Sequence, residues 1–189
     1  MHSYVLRCRM KAALGIEDAF RVFENPNNLA RITPPWLNFR IETPGVEMRV
    51  GTVIDYKIGW LGLPMRWRTI ITEYSPPYRF VDWQARGPYT LWHHTHGFEE
   101  VAGGTIVSDE VRYVLPMGAL GRLAHTAMVR YQLLGIFRYR QRKLGEMFGG
   151  TRELSEPEII PGSAISKEDL ANYGPHQGHR PAPYEQFAK

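Results

Sequence analysis

Trp92-His93-His94-Thr95-His96-Gly97-Phe98 is the stretch on which the reading turns. Alternate residues of an extended strand project to the same side of a sheet, so Trp92, His94, His96 and Phe98 share one face. Two imidazoles framed by two large rings are costly to bury in an ordinary apolar core. Each needs hydrogen-bond partners, and burial displaces its protonation equilibrium. Such a face suits the wall of a polar-lined cavity or a metal site. The plain alternative is that the histidines look out at water.

Outward from this stretch, period-two alternation runs almost unbroken from Trp36 to Pro116. It predicts strands at about 37–42, 51–60, 64–75, 78–86, 89–100 and 104–115. The breaks hold Pro44-Gly45, Gly62, Pro76-Pro77, Gly87-Pro88 and Gly103-Gly104, the punctuation of successive hairpins. Six strands joined this tightly imply an antiparallel meander. Residues 3–11 alternate as well, with Tyr4, Leu6, Cys8 and Met10 on one side, and make a half-buried first strand. Between them, Ile16, Ala19, Phe20 and Phe23 recur at helical spacing until Asn25-Pro26, and Asn27 to Ile32 predict a second short helix. After Pro116 the period changes again. Val129, Leu133, Phe137, Arg140, Leu144 and Phe148 predict one long amphipathic helix over about 119–148, ending at Gly149-Gly150.

The last forty or so residues differ in kind: they are proline-rich and show little hydrophobic periodicity. They read as an extended tail, with Ser166 and Asp169 as a capping box for a short helix from Lys167 to Tyr173. Ile159, Ile160, Tyr173, Tyr184 and Phe187 leave three readings of this tail open: docked on the body, docked on a second copy of the chain in a homodimer, or disordered. The expected division is a domain over 1–150 and a tail over 151–189.

With 189 residues, 43% hydrophobic and 22% charged, the chain reads as one globular domain with an appendage. No uncharged apolar stretch approaches the roughly 18 residues of a bilayer span, and Arg7, Arg9 and Lys11 leave no apolar leader. A cytoplasmic location without membrane insertion is the expectation. A single cysteine excludes an internal disulfide, and its place on the apolar side of the first strand makes Cys8 a buried, inert thiol. The net charge of +4 does not mark a nucleic-acid binder, because the basic residues are dispersed among 19 acids. The densest basic run, Arg138, Arg140, Arg142 and Lys143, reads as a solvated helix face. His2, His125, His176 and His179 read as surface histidines.

One strand, two short helices, six antiparallel strands and a long carboxy-terminal helix resemble the order of the START and birch-pollen-allergen superfamily, also known as SRPBCC, which includes polyketide cyclase and dehydrase-like proteins. The closer resemblance, to small bacterial ligand-binding members, lies in Phe23 to Leu29, Thr33 to Leu37, Phe80-Val81-Asp82, Gly87-Pro88-Tyr89, Trp92 to Glu99 and Asp109 to Pro116. It covers about residues 3–148 and leaves the tail outside. The resemblance implies an α+β helix-grip fold, a seven-stranded antiparallel curved sheet with two short helices after strand 1 and a long C-terminal helix over a cavity.

If the inward face of each strand lines that cavity, strand parity names the walls. Trp92, His94, His96 and Phe98 form one row, and Asp109, Val111, Tyr113 and Leu115 its neighbour across the Gly103-Gly104 hairpin. Phe80, Asp82 and Gln84 form a third, and Ile54, Tyr56 and Ile58 with Trp67, Thr69 and Ile71 a fourth. The expected ligand-binding residues are Trp92, His94, His96, Phe98, Tyr113, Gln84, Trp67, Tyr56 and Phe137. The expected function is binding or carriage of a hydrophobic small molecule, aromatic ones included, in an internal cavity. The alternative is a cyclase or dehydratase-like enzyme, in which His94, His96, Asp82 and Asp109 are the candidate catalytic residues, since a carboxylate beside an imidazole makes a general base. A lesser reading makes His94-x-His96, with Glu100 as third ligand, a metal site similar to that of cupins. No phosphate loop, dinucleotide fingerprint or nucleophile elbow is present, and no cofactor is expected.

Overall fold

The computed structural model describes residues 1–60, 63–149 and 151–175, of which 60 and 151–154 by backbone alone. The strands are β1 (Tyr4–Ala12), β2 (Arg40–Ile41), β3 (Val53–Trp60), β4 (Leu63–Ser75), β5 (Arg79–Arg86), β6 (Leu91–Val101), β7 (Gly104–Val114) and β8 (Thr151–Pro161). They form one sheet in the order β2-β3-β4-β5-β6-β7-β1-β8, antiparallel at every pairing. The meander from β2 to β7 follows the alternating pattern, and β1 closes the order by pairing with β7. The fold is α+β and helix-grip, with eight strands in place of the expected seven.

The extra strand comes from the segment expected to be tail. β8 lies along the outer side of β1, and its register shifts around Pro157, which has no N–H to give the ladder. A proline and several glutamates on an edge strand hide it from a search for alternating apolar residues, and they also discourage pairing with other chains.

Two helices, α1 (Ile16–Glu24) and α2 (Pro26–Ile32), follow β1. Asn25 separates them by capping the second: its Oδ1 accepts from the Asn27 N–H at 3.0 Å. Phe20 packs with Phe80, Phe98 and Phe148 into a core that seals one end of the grip. The long helix is not the uniform rod expected. Gly118–Ala124 (α3) passes through a π-helical turn, His125–Val129, into Arg130–Met147 (α4). Gly121 is obligatory there, since a Cβ at that position would lie 2.1 Å from the Pro116 carbonyl oxygen. α4 buries Leu133, Phe137, Gln141 and Leu144 against the sheet. The buried Gln141 amide is satisfied by the Ser155 carbonyl of β8 at 3.0 Å.

Beyond β8 the chain turns back across the opposite face of the sheet. Ile165 buries itself against Leu91 and Val114, with Trp83, Leu170 and Tyr173 alongside. The Gly162 N–H donates to the Ser3 carbonyl at 2.9 Å and the Ile165 N–H to the Met1 carbonyl at 3.0 Å. Ser166 and Asp169 form the expected reciprocal cap, with bonds of 2.9 and 3.0 Å, and the turn it starts is a 3-10 helix over Asp169–Tyr173. Tyr184 and Phe187 lie outside the described residues. Ile165→Ala empties a packed site and is expected to lower stability by about 2–4 kcal/mol, read as a shift of the urea midpoint at unchanged slope.

Candidate functional site

Between α4 and the sheet lies a cavity of about 670 Å³. Its aromatic wall is built from Tyr56 and Trp67, stacked at 5.9 Å, with Trp92 edge-on to Trp67 at 5.3 Å. Ile54 and Ile71 from the sheet, and Leu133, Ile136 and Phe137 from α4, are among the other apolar residues that line it. The indole N–H of Trp67 is already spent on Thr69 Oγ1 at 3.1 Å, and the Tyr56 hydroxyl lies 3.3 Å from the same oxygen. These rings therefore offer area more than hydrogen bonds.

Asp82, His94 and His96 gather at one place on the sheet wall. Register sets Asp82 opposite His94 across β5–β6, and Asp109 opposite His96 across β6–β7. His94 Nδ1 lies 3.4 Å and His96 Nε2 3.1 Å from Asp82 Oδ2. On the other side, His94 Nε2 lies 3.0 Å and His96 Nδ1 2.8 Å from Asp109 Oδ1. The last contact is short but off the line of the ring N–H, so His96 Nδ1 has no well-formed hydrogen bond. The two rings sit 3.9 Å apart, and Phe80 stacks on His96 at 4.1 Å. Asp82, His94 and His96 face the cavity, whereas Asp109 lies behind the histidines.

Arg140 completes the cluster from α4. Its Nε stands 3.7 Å from Asp109 Oδ2, too far for a hydrogen bond, and has no acceptor among the described residues. Its guanidinium lies over Phe23, 5.3 Å from the ring centre. Arg140 was expected on a solvated basic face. Its position in the Phe137, Arg140, Leu144 spacing was the signal that it turns inward.

Burial opposes charge on Asp82, Asp109, His94 and His96, and the neighbours decide the outcome. Asp82 is held below the usual carboxylate range because His94, His96 and Arg140 outweigh its desolvation. Asp109 is held well below it, first by Arg140 and then by the imidazoles. For His96, desolvation is outweighed by the two carboxylates and its affinity for a proton rises. For His94, burial and the charge on His96 prevail, and its pKa falls to about 4. Near neutral pH the two carboxylates are thus held ionised and His94 neutral, while His96 holds a proton more firmly than a free imidazole.

Several expected site residues stand elsewhere. Phe98 points into the sealed core beside Phe20 and Phe80 and does not line the cavity. Gln84 is spent on the β5–β6 turn, its Nε2 donating to the Tyr89 carbonyl at 2.7 Å. Tyr113 is fully buried and shares a 2.9 Å hydrogen bond with His125 Nε2. Glu100 is exposed near the hairpin, so it does not join His94 and His96. Among the described residues, Asp82, His94 and His96 bring one ligand atom each within 4.8 Å of one another. Cys8 Sγ lies 3.9 Å from Asp109 Oδ2, and burial pushes its thiol far up, which keeps it protonated.

His125, expected at the surface, is only 5% exposed and stacks on Tyr4 at 3.6 Å. Burial, helped by Arg130 and His2, lowers its pKa from 6.5 to about 4. Neutral His125 therefore stabilises the fold fully above pH 6.5, and that contribution is lost as pH falls towards 4. His125→Gln is expected to show a shallower loss of urea stability across this window than the parent. At the cluster, Arg140→Met leaves Asp109 buried with one cation fewer and is expected to cost about 3 kcal/mol. Adding Asp109→Asn should recover part of that loss, a coupling that a double-mutant cycle of unfolding free energies measures.

No protein-family model matches the chain, and no curated protein matches it significantly. Solved structures do. A START superfamily protein from Mycobacterium smegmatis aligns at TM-score 0.58 and 10% identity, over 77% of this chain and 97% of that one. Major latex-like protein 151 from Panax ginseng aligns at TM-score 0.58 and 14% identity, over 78% and 99%. The di-domain aromatase/cyclase StfQ of the steffimycin biosynthetic pathway aligns at TM-score 0.55 and 13% identity, over 78% of this chain and 53% of that one. At these identities the likeness is one of fold, and the fold is the helix-grip shared by START, major latex-like and aromatase/cyclase proteins.

Proposed function

We propose that the protein binds or carries a mostly apolar, ring-containing small molecule in the cytoplasm, in the cavity between α4 and the sheet. The observation that carries this reading is an apolar and aromatic cavity of about 670 Å³ with Asp82, His94 and His96 confined together on its sheet wall. That volume suits a ligand of drug-like size, and the confinement orients it. The ligand's rings lie against Tyr56, Trp67 and Trp92, and its polar end reaches Asp82, His94 and His96. Among the described residues no helix is long and apolar enough to cross a membrane.

A second reading, a cyclase or dehydratase-like reaction, is favoured by one feature. A carboxylate and two imidazoles, His96 with the higher proton affinity and His94 with the lower, line the same wall, so a proton can be taken from and returned to a ligand held there. The StfQ likeness supports the same alternative on grounds of fold.

Native mass spectrometry of freshly purified full-length protein is expected to show a co-purifying small molecule, at no more than one per chain. Leu133→Trp fills the cavity from α4 and is expected to weaken binding of that molecule at least tenfold while the far-UV spectrum stays unchanged. Absence of both a co-purifying molecule and any binding of an apolar fluorescent probe overturns the reading. Chromatography of the identified molecule after incubation separates carrier from catalyst. A catalyst converts it, and His94→Gln then keeps affinity but loses turnover.

A further inference from the structure

The four ring nitrogens of His94 and His96 each face a carboxylate oxygen, at 3.4, 3.0, 3.1 and 2.8 Å. Ionised carboxylates only accept, and a neutral imidazole has one N–H and one lone pair. Two neutral rings therefore supply two donors for four contacts, and two lone pairs are left confronting carboxylate oxygens. A dication held by Asp82 and one nitrogen of each ring turns that opposition into coordination.

The geometry says where it would sit. Asp82 Oδ2 is 3.4 Å from His94 Nδ1 and 3.1 Å from His96 Nε2. Ligands about 2.1 Å from a common ion are separated by about 3.0–3.4 Å in octahedral and tetrahedral arrangements. His94 Nε2 then keeps its proton and its hydrogen bond to Asp109 Oδ1, and His96 Nδ1 keeps a proton 2.8 Å from the same oxygen, close to the carboxylate–histidine–metal arrangement that fixes ring orientation. Arg140 balances Asp109 from behind. All three ligand residues line the cavity and Asp109 does not, so the remaining coordination positions open onto it.

We propose that Asp82, His94 and His96 form a mononuclear site for a divalent first-row transition ion, oriented by Asp109 and open on the side of the cavity. A donor set of two imidazoles and one carboxylate suits zinc, iron(II) or cobalt(II) and disfavours calcium or magnesium. The site stands whether or not an organic ligand fills the cavity, since ion binding is measured on its own.

The test uses full-length, untagged protein stripped with a chelator and titrated with Zn²⁺ by calorimetry and with Co²⁺ by visible absorption. One ion per chain is expected, with a dissociation constant below about 1 μM and proton release into the buffer. His94→Ala and His96→Ala are expected to weaken binding at least a hundredfold. Asp109→Asn should keep one equivalent at 10- to 100-fold lower affinity, as second-shell losses do. His93→Ala, whose ring faces Tyr173 on the other side of the sheet, should bind as the parent does. If the alanine variants do not fold, nitrogen-15 histidine spectra of the parent answer instead, with two of the seven histidines changing on addition of Zn²⁺. No stoichiometric ion, affinity indifferent to His94 and His96, or ring signals unmoved by Zn²⁺ each overturn the proposal.

Discussion

Ionised carboxylates can sit beneath a helix only if cations or donors come to them, because desolvation of an uncompensated carboxylate costs several kcal/mol. Asp109 sets this constraint on the protein. It is almost fully covered, and it stays ionised because two imidazoles from β6 and a guanidinium from α4 converge on it. The register of β5, β6 and β7 and the rotation of α4 are tied together through this residue. A slip of one residue in β6 would turn both histidines to the other face and leave the carboxylates without partners.

The rest of the interior divides around that cluster. On one side the phenylalanines of α1, β5 and β6 pack into a closed core, and on the other the tyrosines and tryptophans stand apart from α4 and leave the cavity. The cluster lies at the boundary between them, with Phe80 of the closed core stacked on His96 and Trp92 of the open wall edge-on to His94 at 6.4 Å. Polar chemistry is thus fixed by a rigid core behind it and presented to open space in front. That arrangement preorganises a site, for an organic ligand and for an ion alike.

Much of this was legible in the amino-acid sequence where the signal is local. The alternation around Trp92 to Phe98 put His94 and His96 on one face, and the same parity put Asp82 and Asp109 on theirs. Phe98 obeys that parity too, yet it faces packed core, because parity names a face of the sheet and not what covers it. Gln84 and Tyr113 likewise point inward and are consumed by Tyr89 and His125. Arg140 and His125 were misplaced for the converse reason. Composition says that arginine and histidine prefer water, and only the long-range partners Asp109, Tyr4 and Tyr113 show why these two do not meet it.

The sequence by itself determined the order of elements as far as about residue 148, the inward face of the strands of the meander and of β1, and the presence of a long helical segment after them, since each follows from a repeat of two or of roughly 3.6 residues along the chain. Tertiary structure alone decided that residues 151–161 add an eighth strand beside β1, that Ile165 covers the far face, and that both carboxylates reach both histidines. These depend on which segments, distant along the chain, are brought within a few ångströms. Periodicity fixes the side from which a residue looks out, and packing fixes what it finds there.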